Sequence, residues 1–340
     1  MDETDYMQNI TIQYCFPYIN SSCRKEVRTG PGNLFLFVFL SCVSVFTVFL
    51  NLLVIISISH FKQLHTPTNL LVLSLAVADL LVGLFVMPVN VIGFIDSCWY
   101  FGKIGCSIFP LITFISMSAS LCSLIFIAVD QYIAVCDPLL YSTRVTVCKT
   151  SLLIILGWSL CLLYVTMYLY FNDHLFQSQI FTRCDGECVL VQKYSWVMID
   201  LVFSFLTPCS IILVMYAIIF NVARRQARAV RAVVNAASHK LGVKVSSSSD
   251  TKAAKKIGTV IFVYLACWIP FYVTSLSVKN VSSLSIVWTV FGWLQLINSS
   301  VNPLMYAIFY SWFRASTTYI ITGRIFENSS SRFNLFPENF

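Results

Sequence analysis

The sequence predicts an all-α membrane protein: a seven-transmembrane helix bundle with its N-terminus outside, followed by a short amphipathic eighth helix. Three observations carry this. Of the 340 residues, 58% are hydrophobic and only 11% charged, less than half the roughly 25% charge of soluble domains. One water-bounded core could not hide so much apolar surface, which excludes an ordinary soluble enzyme, a nucleic-acid binder and a disordered scaffold. Seven stretches reach the ~20 mostly apolar residues that a bilayer-spanning helix needs. Finally, Lys and Arg concentrate on one side of those stretches, and that side is cytosolic. Backbone groups in lipid must be satisfied internally, so the runs are helices; neither barrel-type alternation nor an inverted repeat is visible.

Residues 1–33 form the outer N-terminal segment, 34–309 the bundle, and 310–340 the eighth helix and cytosolic tail. The first segment is polar, with Asp2, Glu3, Asp5, Arg24 and Lys25, so span one is expected to insert as its own signal-anchor. Asn9 and Asn20 head glycosylation tripeptides on the outer side. Spans one and two are Leu34–Ser59 and Asn69–Ile95, parted by His65-Thr66-Pro67-Thr68. Span three, Ile104–Val135, stops at Asp137-Pro138, and span four is Ser151–Phe171. Span five, Trp196–Phe220, follows the Cys184–Cys188 cluster. Ile257–Val278 follows the serine run Ser246–Ser249, and Leu284–Phe309 is the last span. Lys62, Arg144, Lys149, the basic run from Arg224 to Lys256, and Arg314, Arg324 and Arg332 mark the cytosolic side. The loop between Arg224 and Lys256 reads as a helical extension near anionic lipid. Tyr310–Gly323, with Arg314 at the inner interface, suits an amphipathic helix, and no cysteine follows it to carry a lipid. Six of the 13 cysteines fall outside: Cys15, Cys23, Cys98, Cys106, Cys184 and Cys188. That compartment is oxidising, so pairing is expected; the others act as small hydrophobes in or near the spans.

Asp79, Asp130 and Asp200 fall well inside spans, where a charge costs about 2.5–3.5 kcal/mol on insertion scales and marks a functional site by default. Asp79 suits a hydrated bundle interior. Asp130 lies at the cytosolic end of span three, where an acid is cheap, so a structural role is equally open. Asp200 sits about a turn inside span five, with no other charge between Lys193 and Arg224. A buried anion without a base wants a cation, and that cation can come from outside.

At these residues the chain resembles the rhodopsin-like G-protein-coupled receptors over nearly its full length. The landmarks run one per span: Asn51; Leu75-Ala-Val-Ala-Asp79; Cys106 and Asp130-Gln131-Tyr132; Trp158; Pro208 and Tyr216; Cys267-Trp268-Ile-Pro270; Asn302-Pro303-Leu-Met-Tyr306. The stretch from Asn298-Ser299 through Tyr310-x-Trp312-Phe313 is similar to the trace amine-associated receptors, as are Cys98-Trp-Tyr-Phe-Gly102 and Cys184-x-Gly186-x-Cys188. The resemblance implies an amine receptor in the plasma membrane, coupled to a heterotrimeric G protein of stimulatory or olfactory type. Most such receptors are olfactory, which would place it on sensory-neuron cilia.

Aminergic receptors hold the ligand ammonium on a span-three aspartate; the matching position here is Thr113. Asp200 instead occupies an outer span-five position, as in some fish members of the family, and is the expected ammonium partner. The resemblance carries over a pocket of Thr113, Phe114, Met117, Ser118, Ser204, Trp268, Phe271, Tyr272, Gly292, Trp293 and Leu296, whose aromatic faces attract cations. It also implies a sodium ion at Asp79, Ser120, Asn298 and Asn302, oxygen ligands suited to a hard cation; no other cofactor is expected. The implied disulfides are Cys106–Cys188 and Cys23–Cys184, leaving Cys15 and Cys98 either paired or free. Asp130, Gln131, Tyr132, Tyr216, Asp250, Pro270, Pro303 and Tyr306 take the coupling positions. There the chain departs from the family, because Gln131 stands where an arginine is usual and can hydrogen-bond but not ion-pair. A weaker resting lock is expected, giving either constitutive activity or poor coupling. A cation-coupled transporter is the rival from another class, disfavoured by the lack of repeats and broken helices. No metalloprotease or serine-hydrolase motif supports an enzyme.

Overall fold

The computed structural model describes residues 13–26, 30–172, 184–188, 193–238, 263–274, 276, 286–327 and 330–335. Helix α1 is Pro31–His60, α2 runs from Pro67 to Ile95, α3 is Gly102–Cys136 and α4 is Val147–Phe171. Helix α5 begins at Tyr194 and continues to Ser238, well past span five, as the helical extension expected there. Helix α6 is described over Val263–Thr274, α7 is Ile286–Phe309 and α8 is Ser311–Ile321. Among the described residues, five helices are long and apolar enough to cross a membrane: α1 to α5.

Local chemistry sets the helix starts. Pro31 and Pro67 occupy first-turn positions, where the missing N–H costs nothing. Thr66 caps α2 by accepting the Asn69 N–H at 3.3 Å, and Thr146 caps α4 by accepting that of Lys149 at 3.4 Å. Two helices change pitch. Val82–Val86 in α2 and Leu201–Leu206 in α5 are π-helical, and each ends two residues before a proline, Pro88 and Pro208. Proline cannot donate to the carbonyl four residues back, and a wider turn takes up the slack.

Large apolar side chains such as Phe35, Val45, Leu152, Leu163 and Phe203 point outward. On a soluble protein that surface would aggregate; here it is the lipid face. The interior carries a polar column instead. Thr47 meets Ser300, Ser44 donates to the Gly83 carbonyl, and Trp158 Nε1 donates to Ser74 Oγ at 3.0 Å.

Three disulfides build an outer cap. Cys106–Cys188 and Cys23–Cys184 form, and Cys15 pairs with Cys98 rather than staying free. Residues 13–26 fold into a small turn that is tied to the second outer loop by backbone hydrogen bonds, the Cys23 N–H donating to the Asp185 carbonyl and the Asp185 N–H to that of Ser21, each at 2.8 Å. Gly186 sits at φ +103°, and a Cβ there would come within 2.8 Å of Cys15 Cβ. The positive φ and the close cystine both demand glycine.

Candidate functional site

Asp200 lies in the outer turns of α5 and is half-buried. Two phenols hold it. Tyr164 of α4 donates to Oδ1 at 3.1 Å, and Tyr272 of α6 donates to Oδ2 at 3.0 Å. Ser204, one turn along α5, donates to the Tyr164 hydroxyl at 3.3 Å. Among the described residues no base forms an ion pair with Asp200. Its carboxylate is therefore oriented by neutral donors and keeps acceptor capacity on each oxygen, an arrangement suited to an incoming cationic donor.

Aromatic packing fixes the phenols. Tyr272 is packed by Phe205 at 4.8 Å, Phe271 at 5.6 Å and Trp268 at 6.2 Å between ring centroids. Tyr168, one turn below Tyr164 on α4, packs against Phe114 at 5.4 Å and Trp196 at 6.0 Å. Met117 touches this region and also the cluster holding Trp293 and Leu296, so it joins the two halves of the expected pocket. At Gly292 an added Cβ would meet nothing within 4 Å, which marks open space on α7.

The structure brings Tyr272 and Ser204 to Asp200, packs Phe271, Trp268 and Met117 in the cluster that holds Tyr272, and sets Trp293 and Leu296 on the α1–α2 side. Phe114 belongs to the α3–α4 aromatic cluster that contains Tyr164. The Thr113 hydroxyl donates to its own helix at Phe109 O, 2.8 Å away. A β-hydroxyl in lipid has that carbonyl as its nearest acceptor. Ser118 is half-buried, and no described bond ties it to Asp200. Sequence reasoning missed Tyr164, since a tyrosine in an apolar span reads as packing.

A second carboxylate, Asp79, is fully buried. Asn302 Nδ2 donates to it at 2.7 Å, Ser120 Oγ donates at 3.1 Å, and Ser299 is also hydrogen-bonded to it. Asn298, one turn further out on α7, is buried but makes none of the described bonds to Asp79; Ser299 makes one in its place. Two hydroxyls and a carboxamide can turn oxygen lone pairs toward a hard cation, so the residues fit such an ion.

At the cytosolic end Asp130 is buried and accepts Thr68 Oγ1–H at 2.7 Å and the Tyr141 hydroxyl at 2.8 Å. Tyr141 lies on a short helix, Pro138–Arg144, after α3. Gln131 and Tyr132 are half-buried, and Tyr132 packs on the cluster of Tyr216 and Ile212. Tyr306 is buried beside Trp312 and Phe313, Pro303 lies inside α7, and the Pro270 carbonyl accepts from Thr274. Asp250 and Asn9 lie outside the described residues; Asn20 is exposed in a turn of the cap.

Comparison with known proteins gives one consistent picture. Residues 50–306 match the family of 7 transmembrane receptors, rhodopsin family. The zebrafish (Danio rerio) trace amine-associated receptor 13c is 39% identical over 329 residues, 95% of this chain and 96% of its own length. Human (Homo sapiens) trace amine-associated receptor 6 is 38% identical, with 97% of each chain covered. Rat (Rattus norvegicus) trace amine-associated receptor 4 is 34% identical, with 99% of each covered.

Proposed function

Since the chain belongs to the rhodopsin family of seven-transmembrane receptors, and within it to the trace amine-associated receptors, we propose that it senses small amines through Asp200. It is a multi-pass plasma-membrane receptor rather than an enzyme, with a small-molecule ligand and a G protein as partners. One observation carries the amine reading: a half-buried α5 carboxylate with a phenol on each oxygen and, among the described residues, no base paired to it. A ligand ammonium at about 3 Å makes a charge-assisted hydrogen bond there. Tyr272, Phe271 and Trp268 give the cation aromatic faces, and Met117, Phe114, Ser204, Trp293 and Leu296 line the rest. In this reading the G protein is of stimulatory or olfactory type and the site of action is the olfactory cilium. A sodium ion held by Asp79, Ser120, Ser299 and Asn302 supplies the counter-charge that a carboxylate at this depth lacks.

An amine panel read by cyclic AMP tests the reading. Asp200→Asn lowers potency by at least about a hundredfold, the equivalent of about 3–5 kcal/mol for stranding one charge of a buried pair. Thr113→Asp adds a second anion and shifts preference toward diamines. Responses that survive Asp200→Asn overturn the assignment. Run with sodium and with a bulky cation in its place, the same panel shows a sodium-dependent potency in wild type that Asp79→Asn abolishes; equal sodium dependence in both would remove the ion from the site.

A further inference from the structure

The cytosolic end of the bundle carries a contact that neither the spans nor the amine site requires. Beyond α8 the chain turns back through Arg324–Phe326 and Ser330–Arg332, and Leu335 ends only 2% exposed. It lies in the same packed cluster as Leu50, Phe61, Leu64 and Tyr319. The Leu335 N–H donates to Gln63 Oε1 at 3.1 Å, and Ser330 Oγ is 2.9 Å from His60 Nε2. Phe333 stacks on Tyr319 of α8 at 4.5 Å, and Tyr319 in turn meets Phe61 edge-on at 5.6 Å. Side chain and backbone of one hexapeptide thus engage the end of α1 and the turn after it, while its ring engages α8.

We propose that residues 330–335 are a self-ligand for a socket made by His60, Phe61, Gln63, Leu64 and Tyr319, forming a latch that holds α8 against the first cytosolic turn. Three observations point to a holding role. Helix α8 buries only one face, through Trp312, Phe313, Ser316 and Tyr319. Within residues 330–335 the apolar side chains are Phe333 and Leu335, and those two make its ring and core contacts. The latch is also continuous with the receptor's machinery, since Tyr306 at the end of α7 packs in the same cluster as Leu335. Ordering six backbone residues offsets much of what one leucine, one ring pair and two hydrogen bonds contribute. The contact is therefore weak enough to be opened by a competing ligand for the socket.

Amide exchange on the full-length receptor in lipid nanodiscs tests this. Leu335→Asp raises exchange about tenfold or more in 61–64, in 311–321 and at the Tyr306 end of α7, with α3 and α4 unchanged. Leu335→Met keeps wild-type protection, and Gln63→Ala gives the Leu335→Asp pattern at smaller amplitude. A synthetic peptide Ser-Ser-Arg-Phe-Asn-Leu added to the Leu335→Asp receptor restores protection of 61–64, and the same peptide ending in Asp does not. Wild-type exchange in all three segments of Leu335→Asp overturns the latch. Failure of the peptide to restore protection overturns the socket.

Discussion

Among the described residues, Asp200 is held by phenols from two other helices rather than by a base. Hydrogen bonds to a charged group contribute about 1.5–3 kcal/mol each, so the phenols fix the carboxylate rotamer before any ligand arrives. Tyr164→Phe and Tyr272→Phe should each lower amine potency about tenfold in the cyclic-AMP assay, with the same rank order of amines. Unchanged potencies would mean that packing alone orients Asp200. The acid was legible in the sequence because a lone charge in an apolar run is conspicuous; Tyr164 was not, because its hydroxyl matters only once α4 and α5 are adjacent. Ser299 shows the same limit, because only the packing of α7 brings its hydroxyl to Asp79.

Helix positions and order follow directly from the apolar runs, whereas the π turns in α2 and α5 do not. Their signal was the proline two residues beyond each one, yet proline also permits an ordinary kink. The cytosolic end of α3 was read in part. Gln131 was visible as a missing arginine, but the hydroxyl cage of Thr68 and Tyr141 around Asp130 rests on contacts between elements. Among the described residues that cage satisfies Asp130 without an ion pair. Gln131→Arg should change basal or amine-evoked cyclic AMP. If neither moves, the cage has already replaced the arginine and coupling is set elsewhere.

Across the whole molecule, the sidedness of the charges and two of the three disulfides were legible, the latter through family resemblance; the Cys15–Cys98 bridge was left open. The tail latch was not legible, since the two apolar residues within 330–335 carry no period. The outer cap makes a prediction of its own. Lys25 Nζ lies 2.8 Å from Asp96 Oδ2, and Tyr100 donates to the same carboxylate. Burial pushes the Asp96 carboxyl up, but hydrogen bonds from Lys25, Tyr100 and the Cys98 N–H outweigh it and hold the group below its ordinary 3.8. The bond to Asp96 raises Lys25 above its ordinary 10.5. The carboxyl's contribution is present above 3.8 and fades as pH falls through its lowered value. That of the amine is full below 10.5 and fades as pH rises through its raised value. A pair this close to water contributes up to about 1 kcal/mol. Protection of the Glu26 and Ser97 amides, which tie the two strands together, should therefore be greatest between those limits, and Asp96→Asn should flatten the acid side. The same cap imposes an order on biosynthesis. Cys23 must wait for Cys184, 161 residues later, while Cys15 needs only Cys98, 83 residues on. At about 5–20 residues per second, the wait of Cys23 for Cys184 lasts about 8–32 seconds, beside a Cys15 that can already be spoken for. Early closure of Cys15 onto Cys98 removes the nearest wrong partner and protects the later bond from mispairing.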